Sequence, residues 1–277
     1  MFRLKWFEEP REKEAAIVLL GGGMDSLLAG FLARRRTKQL YGLHATYGQK
    51  SAPVERWASE RIARSLEFSG FATIDLTILQ YFSELASTAL VTGEVPHISW
   101  PEVETRQPRV AEVSLAVYVP FRQGTLFALA AAWGEALCRR YGLDRVWIYV
   151  GGNADDVPYF PDERPEFIRY WNEALRVGIA FGSVRIATPL INLTKVQIAK
   201  ALARHQLLDL VRYTVSCYRS PGLTRINGIL QPIHCPNPLE VGEACPACVR
   251  RATAFQDAGV PDPTAYYCED MEVLRPE

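Results

Sequence analysis

The sequence predicts an α/β fold: a parallel sheet with helices on both faces, followed by a small metal-bearing C-terminal extension. Three observations carry this. Apolar runs and helical patterns alternate along most of the chain, which is the signature of a parallel sheet covered on both sides. The run Ile17–Leu20 leads straight into three glycines and then a helical pattern. Cys217, Cys235, Cys245, Cys248 and Cys268, five of the six cysteines, crowd the last quarter. The chain has 277 residues, 48% of them apolar, enough to bury a full core in one large or two modest domains. Its 31 basic and 31 acidic residues cancel, which disfavours a large RNA or DNA partner. No apolar run of about 18 residues and no signal segment is present, so the chain reads as a cytoplasmic protein without a membrane partner.

Met1 to Glu14 is polar and mixed in charge and reads as a short leader before the first strand. Leu27–Arg36 is then helical, Gln39–Thr46 a strand, Val54–Leu66 a helix and Ala72–Leu76 a third strand. From Ser87 to Val117 the pattern fails, with Pro96, Pro101 and Pro108 among polar groups. That stretch is too long for an ordinary connection and is either disordered or a loop over a site. Order returns with the alanine-rich helix Gly124–Tyr141, in which Cys138 falls on the apolar pattern as a core residue. The strand Arg145–Val150, a polar loop Gly151–Glu163 and a helix Pro165–Val177 follow. A short strand ends at Pro189, and Thr194 N-caps a helix to Ala203. Beyond Tyr213 the composition turns to cysteine, proline and glycine, with one helix over Cys248–Asp257. The boundary near residue 210 divides a sheet domain, 1–210, from a subdomain, 211–277.

The loop Gly21-Gly22-Gly23-Met24-Asp25-Ser26 is stripped of side chains where a strand meets a helix N-terminus. Backbone N–H groups and the helix dipole can then close on an anion. Ser26 is placed to reach a phosphate oxygen, and Asp25 to take a metal or position a nucleotide. An ordinary tight turn is the alternative. No Gly-Lys-Ser/Thr follows, so this is not a Walker loop, and it is not a GxGxxG turn. In the C-terminal segment, Cys245-Pro-Ala-Cys248 has the spacing of a zinc knuckle, with Cys217 and Cys235 as further ligands. His234 competes with Cys235 for the fourth place. Four thiolates would close the site to catalytic water, so the zinc would fold the tail. Cys268 reads as a free thiol.

Several strings together resemble the 7-cyano-7-deazaguanine synthases (QueC) among the pyrophosphate-loop ATPases. They are GGMDS (22–26), YGQK (47–50), YVPFRQG (118–124), GNADDVPYFPDERPEF (152–167), TPLINLTK (188–195), SCY (216–218), IHC (233–235), CPACVRR (245–251) and AGVPDPTAY (258–266). The resemblance runs from Ile17 to Tyr267 and implies an adenine-nucleotide-hydrolase-like, Rossmann-like sheet. It implies an ATP-dependent ligase acting on 7-carboxy-7-deazaguanine. A carboxylate cannot lose oxide to ammonia, so ATP first converts it to an acyl-adenylate. Attack gives the amide, and a second activation removes water to leave the nitrile. Gly21 to Ser26 would hold ATP, Arg122 and Lys195 would supply cations to the phosphates, and Mg²⁺ would accompany ATP without an all-protein cage.

The base would be read by Tyr47, Gln49 and the loop Asn153–Arg164. Asn153, Asp155, Asp156 and Arg164 would match its polar edges, and Tyr159 or Phe160 would stack on it. A capped, proline-rich turn before the Pro165 helix accounts for the same residues. The resemblance further implies a homodimer. The chain departs from the family pattern at several places. Gly21 stands where serine is usual, Gln123 where asparagine is common, Phe121 where glycine is, and Thr46 for an acidic or amide residue. The interval from Cys235 to Cys245 is longer. These changes leave two alternatives open. One is a QueC-like antiphage-defence enzyme that passes the activated base to a protein amine, with Ser87–Val117 as the mobile entrance. The other is a non-catalytic nucleotide-binding paralogue.

Overall fold

A computed structural model describes residues 1–99, 102, 108–240 and 244–276. Its centre is a six-stranded sheet of β1 (Phe2–Phe7), β2 (Glu14–Leu19), β3 (Leu40–Thr46), β4 (Gly70–Asp75), β5 (Arg145–Tyr149) and β6 (Val184–Ala187), in the order β1-β4-β3-β2-β5-β6. β2 to β6 run parallel, and β1 pairs antiparallel with β4 at one edge. β2 is buried on both faces. Ala16, Val18 and Leu20 enter one core, Ala15, Ile17 and Leu19 the other. Strict alternation into two cores is why a continuous apolar run, rather than a half-polar one, marks this central strand.

On the first face lie α1 (Met24–Arg34) and α7 (Lys195–Arg204); on the second, α5 (Arg122–Tyr141) and α6 (Pro165–Gly178). The remaining helices are α2 (Ala52–Ser65), α3 (Thr77–Leu85), α4 (Pro108–Ala116), the short α8 (Leu208–Val211) and α9 (Pro246–Ala258). α5 stops where Gly142 takes φ +63° and returns its N–H to the Cys138 carbonyl. Thr194 and Gln197 form a complete capping box on α7. A second, three-stranded sheet joins β7 (Leu223–Ile226), β8 (Ile229–His234) and β9 (Ala265–Tyr266). α9 packs on α7, and its Ala254 and Phe255 complete the core of the first face.

The chain order reverses direction at β2: β3 and β4 lie to one side, β5 and β6 to the other. The crevice beyond the carboxyl ends of the strands at such a switch point is where open α/β sheets bind ligands. Here it falls between the glycine turn after β2 and Gly151 after β5.

The N-terminal segment corrects the sequence reading. Phe2–Phe7 is not a leader but the edge strand β1. Its first four residues are exposed, and the charged Arg3 and Lys5 guard a free edge, so it lacks the alternation that reveals a half-buried strand. Only its end is anchored. Trp6 stacks on Phe71 at 5.2 Å and donates its indole N–H to the Phe68 carbonyl at 3.1 Å, and Phe7 stacks on Tyr41 at 5.1 Å.

Within Ser87–Val117, the described part is packed. Val95, Ile98, Val110, Val113 and Val117 are buried in the cluster that also holds the C-terminal cysteines. Lys50 fastens its start by donating to the carbonyls of Ala89 at 2.7 Å and Gly93 at 2.5 Å. Pro101 lies outside the described residues.

Trp6→Ala removes the anchor of β1 and leaves a cavity over Phe71. Such a truncation costs about 3 kcal/mol, so the melting temperature should fall by roughly 5 °C or more in a thermal scan. An unchanged melting temperature would mean that β1 adds nothing to the sheet.

Candidate active site

The glycine turn is fixed by close approach rather than by looseness. Gly22 has φ +81°, and a Cβ there would lie 2.8 Å from the Glu55 carbonyl oxygen. A Cβ on Gly151 would come 3.0 Å from the Ser26 nitrogen. No side chain fits at either place, so α1 can start directly against the loop after β5. The Val215 N–H donates to the Gly22 carbonyl at 2.8 Å, holding the turn from the C-terminal side. At Gly21, by contrast, an added Cβ meets nothing within 4 Å, so the position is open.

Around this turn lies a cleft of about 280 Å³ lined by Gly21, Gly23, Asp25, Ser26, Arg122 and Lys195 among others. The Lys195 ammonium donates to Asp25 Oδ2 and lies 3.6 Å from Asp156 Oδ2. Arg250, from α9, reaches the other Asp156 oxygen at 3.1 Å. Four segments distant in sequence therefore converge on one half-buried ion network. Burial pushes the Asp25 carboxyl up while Lys195 pulls it down. Burial would also raise Asp156, but Lys195 and Arg250 outweigh it and hold that carboxylate below its ordinary range. Burial alone would lower Lys195; its two carboxylates overcome this and keep it protonated.

Asp25 Oδ1 is buried without a hydrogen-bond partner. Such an orphaned carboxylate oxygen at a helix N-terminus fits a divalent cation. The charge balance agrees. Lys195 and Arg122 line the cleft against Asp25, Asp156 and Glu55, so the side chains offer no positive excess to a triphosphate. Backbone N–H groups and a cation such as Mg²⁺ would have to supply it. The Ser26 hydroxyl donates to the Gly23 carbonyl at 2.9 Å, within the turn.

Arg122 begins α5 and donates to the Tyr47 hydroxyl at 3.1 Å; Glu163 lies 3.9 Å from its other nitrogen. Burial pushes the Glu163 carboxyl up to about 8, with Asp156 adding to the rise and Arg122 opposing it. At neutral pH this side chain is mostly a carboxylic acid. Phe121, just before α5, takes φ +51° in the left-handed region that favours glycine. The Tyr118 hydroxyl accepts its N–H at 3.1 Å, and Phe167 meets its ring edge-on.

A model of the family described as queuosine biosynthesis protein QueC matches residues 15–259. The 7-cyano-7-deazaguanine synthase of Pyrococcus furiosus is 34% identical over 92% of this chain and 97% of its own length. That of Methanococcus maripaludis strain C5 is 30% identical over 92% and 99%. The chain belongs to the QueC family. Among solved structures, it is similar to an NH3-dependent NAD synthetase from Campylobacter jejuni at TM-score 0.37 and 14% identity, over 73% of this chain and 68% of that one. It is likewise similar to the U34-tRNA thiolase NcsA from Methanococcus maripaludis at TM-score 0.38 and 14% identity, over 76% and 64%.

In this QueC-family chain the C-terminal cysteines form a second centre. The Sγ atoms of Cys217, Cys235, Cys245 and Cys248 all lie within 4.8 Å of one another, fully enclosed. Cys217 and Cys235 are 3.6 Å apart. A tetrahedral zinc with bonds of about 2.3 Å sets its sulfurs about 3.8 Å apart, so the four fit that ion. His234 is engaged elsewhere. Its Nε2 accepts the Ser216 N–H at 3.1 Å and its Nδ1 faces the Pro232 carbonyl at 3.3 Å. Cys268 is exposed and free, and Cys138 is buried in the second core.

The cluster is coupled to the cleft. Cys217 follows two residues after Val215, whose N–H holds Gly22, while Tyr218 and Ala247 line the cleft itself. Arg251, only 2% exposed, donates to the Thr214 hydroxyl at 2.9 Å, the Ser216 hydroxyl at 3.1 Å and the Val211 carbonyl at 3.1 Å. It fixes the segment that braces the glycine turn.

Of the residues singled out in sequence, the structure brings Gly21, Gly23, Asp25, Ser26, Tyr47, Arg122, Asp156 and Lys195 to one cleft. Gly22 and Met24 lie behind its wall, the latter in the core. Gln49 stands behind Tyr47, accepting its N–H at 2.8 Å and donating to Glu55 at 2.9 Å. Asn153 is buried, donating to Asp156 at 2.6 Å and accepting the Asp155 N–H at 3.1 Å. Asp155 accepts the Lys195 N–H at 2.7 Å. Tyr159 lies under Arg250, and Phe160 packs beside Tyr118. Arg164 is exposed outside the lining, at the N-cap of α6. Glu55, His44, Glu163, Tyr218 and Arg250 were not singled out. For Glu163 the signal was the paired carboxylate Asp162-Glu163 at the foot of a proline-started helix. Burial keeps His44 neutral, with Nδ1 at 2.8 Å from the Leu20 carbonyl.

Cys245→Ser should lose metal by elemental analysis and, through the Val215 bond, weaken ATP binding by calorimetry together with stability. Intact ATP affinity in metal-free protein would show that the two centres are independent. For Glu163 the carboxyl is raised in the fold, so its stabilising contribution is full below about pH 4.5 and is lost as pH rises through about 8. Glu163→Gln should flatten the melting temperature between those values by more than about 4 °C relative to wild type. Parallel profiles would show that Glu163 ionises freely.

Proposed function

We propose that this protein is an ATP-dependent carbon–nitrogen ligase that adenylates the carboxylate of 7-carboxy-7-deazaguanine. The adenylate is handed to ammonia to give the amide, which a second activation dehydrates to 7-cyano-7-deazaguanine. The observation that carries this is the buried Asp25 with one oxygen held by Lys195 and the other orphaned, beside a glycine turn at the sheet's switch point. The named relatives support the substrate class.

In this reading the N–H groups of Gly21 to Gly23 and the N-terminus of α1 hold the phosphates. Asp25 Oδ1 would hold Mg²⁺, which lowers the charge of the triphosphate when bound. Lys195 and Arg122 flank the α-phosphate as the substrate carboxylate attacks it. The carboxylate oxygen bonds phosphorus, the bridge to pyrophosphate breaks, and pyrophosphate carries away the electron pair. Ammonia then attacks the acyl carbon, AMP leaves, and the nitrogen sheds its proton. Tyr47 and Arg122 make one polar side for the base, Asp156 and Tyr218 another. Cys217, Cys235, Cys245 and Cys248 would hold a structural zinc, with 211–277 a clamped buttress to the ATP-binding part. No helix among the described residues is long and apolar enough to cross a membrane.

The test is incubation with ATP, 7-carboxy-7-deazaguanine and ammonia, read by mass spectrometry. The nitrile and one pyrophosphate per activation are expected, and Asp25→Ala should cut pyrophosphate release by more than about 100-fold with the fold intact. An adduct on protein, or no pyrophosphate at all, would overturn the ammonia-ligase reading.

A further inference from the structure

A groove of about 470 Å³ lies between α2 and the β7–β8 hairpin, closed at one end by Leu274 to Pro276. It shares no lining residue with the ATP cleft. Five arginines, Arg56, Arg61, Arg64, Arg225 and Arg275, line it, with Glu60 as the one carboxylate among the lining residues. Glu60 is already held by Arg64 at 2.8 Å. Arg56 and Arg64 already have partners, so the positive charge that the groove offers a ligand is chiefly that of Arg61, Arg225 and Arg275. Global neutrality disfavours a large nucleic-acid footprint, but it does not describe this groove.

The arrangement is ordered as well as charged. Arg56, Trp57, Glu60, Arg61 and Arg64 fall on one face of α2, and Arg56 to Arg64 spans about 12 Å of helix. That length faces a few successive charges of a nucleic-acid strand, which carries one per about 3.4 Å. Two guanidinium groups lie over rings: Arg61 over Tyr213 at 4.8 Å, Arg64 over Trp6 at 4.4 Å. Stacking limits their freedom before any ligand arrives, so less entropy is lost on binding. Half-buried Trp57 lines the groove and meets Tyr213 edge-on at 6.3 Å. An aromatic ring among arginines gives a base a surface to stack on, a use that an acidic peptide does not have for it.

We infer that this groove binds a short stretch of single-stranded nucleic acid, its phosphates on the arginines and a base against Trp57. The inference stands apart from the ligase reading and survives its failure.

The test is fluorescence anisotropy of a labelled single-stranded RNA of about 20 nucleotides with the whole protein, over a series of salt concentrations. Binding should weaken with salt at a log–log slope of about −2, as expected for neutralising about three phosphates. Arg61→Glu combined with Arg225→Glu should weaken it more than about tenfold at low salt, while Lys200→Glu on exposed α7 leaves it unchanged. The double variant should keep the wild-type circular dichroism spectrum and melt within about 3 °C of wild type, which shows that it is folded. If the double variant does not fold, Arg225→Ala with Arg275→Ala takes its place. No anisotropy change at about 50 μM protein, equal binding by the reversed variant, or displacement by poly-glutamate at matched charge would each overturn the inference.

Discussion

The Lys195 ammonium, buried between Asp25 and Asp156, is the interaction on which the rest of the molecule depends. It joins the start of α7, the first turn of α1 and the loop after β5. Arg250 extends the same network to α9. Removing one partner of a half-buried ion network leaves an uncompensated charge, which costs more than losing an exposed pair. The network is therefore a structural constraint: it sets where the glycine turn, the polar loop and the C-terminal helix stand relative to one another. It is also unsaturated. Asp25 keeps one oxygen without a partner, and that single vacancy in hydrogen bonding distinguishes a binding site from a structural bridge.

The C-terminal segment serves the same cleft by a second route. Its four thiols converge within a buried cluster shared with Val95, Ile98, Val215 and Val249. Their neighbour Val215 grips the Gly22 carbonyl. Arg251 donates to the connecting segment 211–216 through its terminal nitrogens and to Thr264 through Nε. A metal centre without an open position can thus influence phosphate binding purely by fixing backbone. The cleft and the cluster are two ends of one short covalent path.

How much of this was legible in sequence follows from what each residue type reveals locally. A central parallel strand is apolar on both faces, and a glycine turn that admits no Cβ must be written in glycine, so β2 and Gly22 announce themselves. Closely spaced cysteines do the same. β1 does not, because an edge strand that faces solvent need not alternate. The polar loop after β5 was legible as polar, yet its residues divide the work in a way spacing does not encode. Asp156 faces the cleft, while Asn153 turns inward to hold it and Asp155 caps α7. Glu163 and Arg250 enter the site only through the packing of α5 and α9, which no local pattern records. Phe121 shows the converse: its left-handed backbone would suit glycine, and a bulky aromatic there gives no local sign of that conformation.

The central claim is that the turn from Gly21 to Ser26 holds the triphosphate of ATP against the Asp25–Lys195 pair. A crystal structure of the protein with a non-hydrolysable α,β-methylene analogue of ATP tests it most directly. The account predicts phosphate oxygens on the backbone N–H groups of that turn and a divalent ion at Asp25 Oδ1. Phosphates bound elsewhere, with Asp25 Oδ1 still unpartnered, would contradict it.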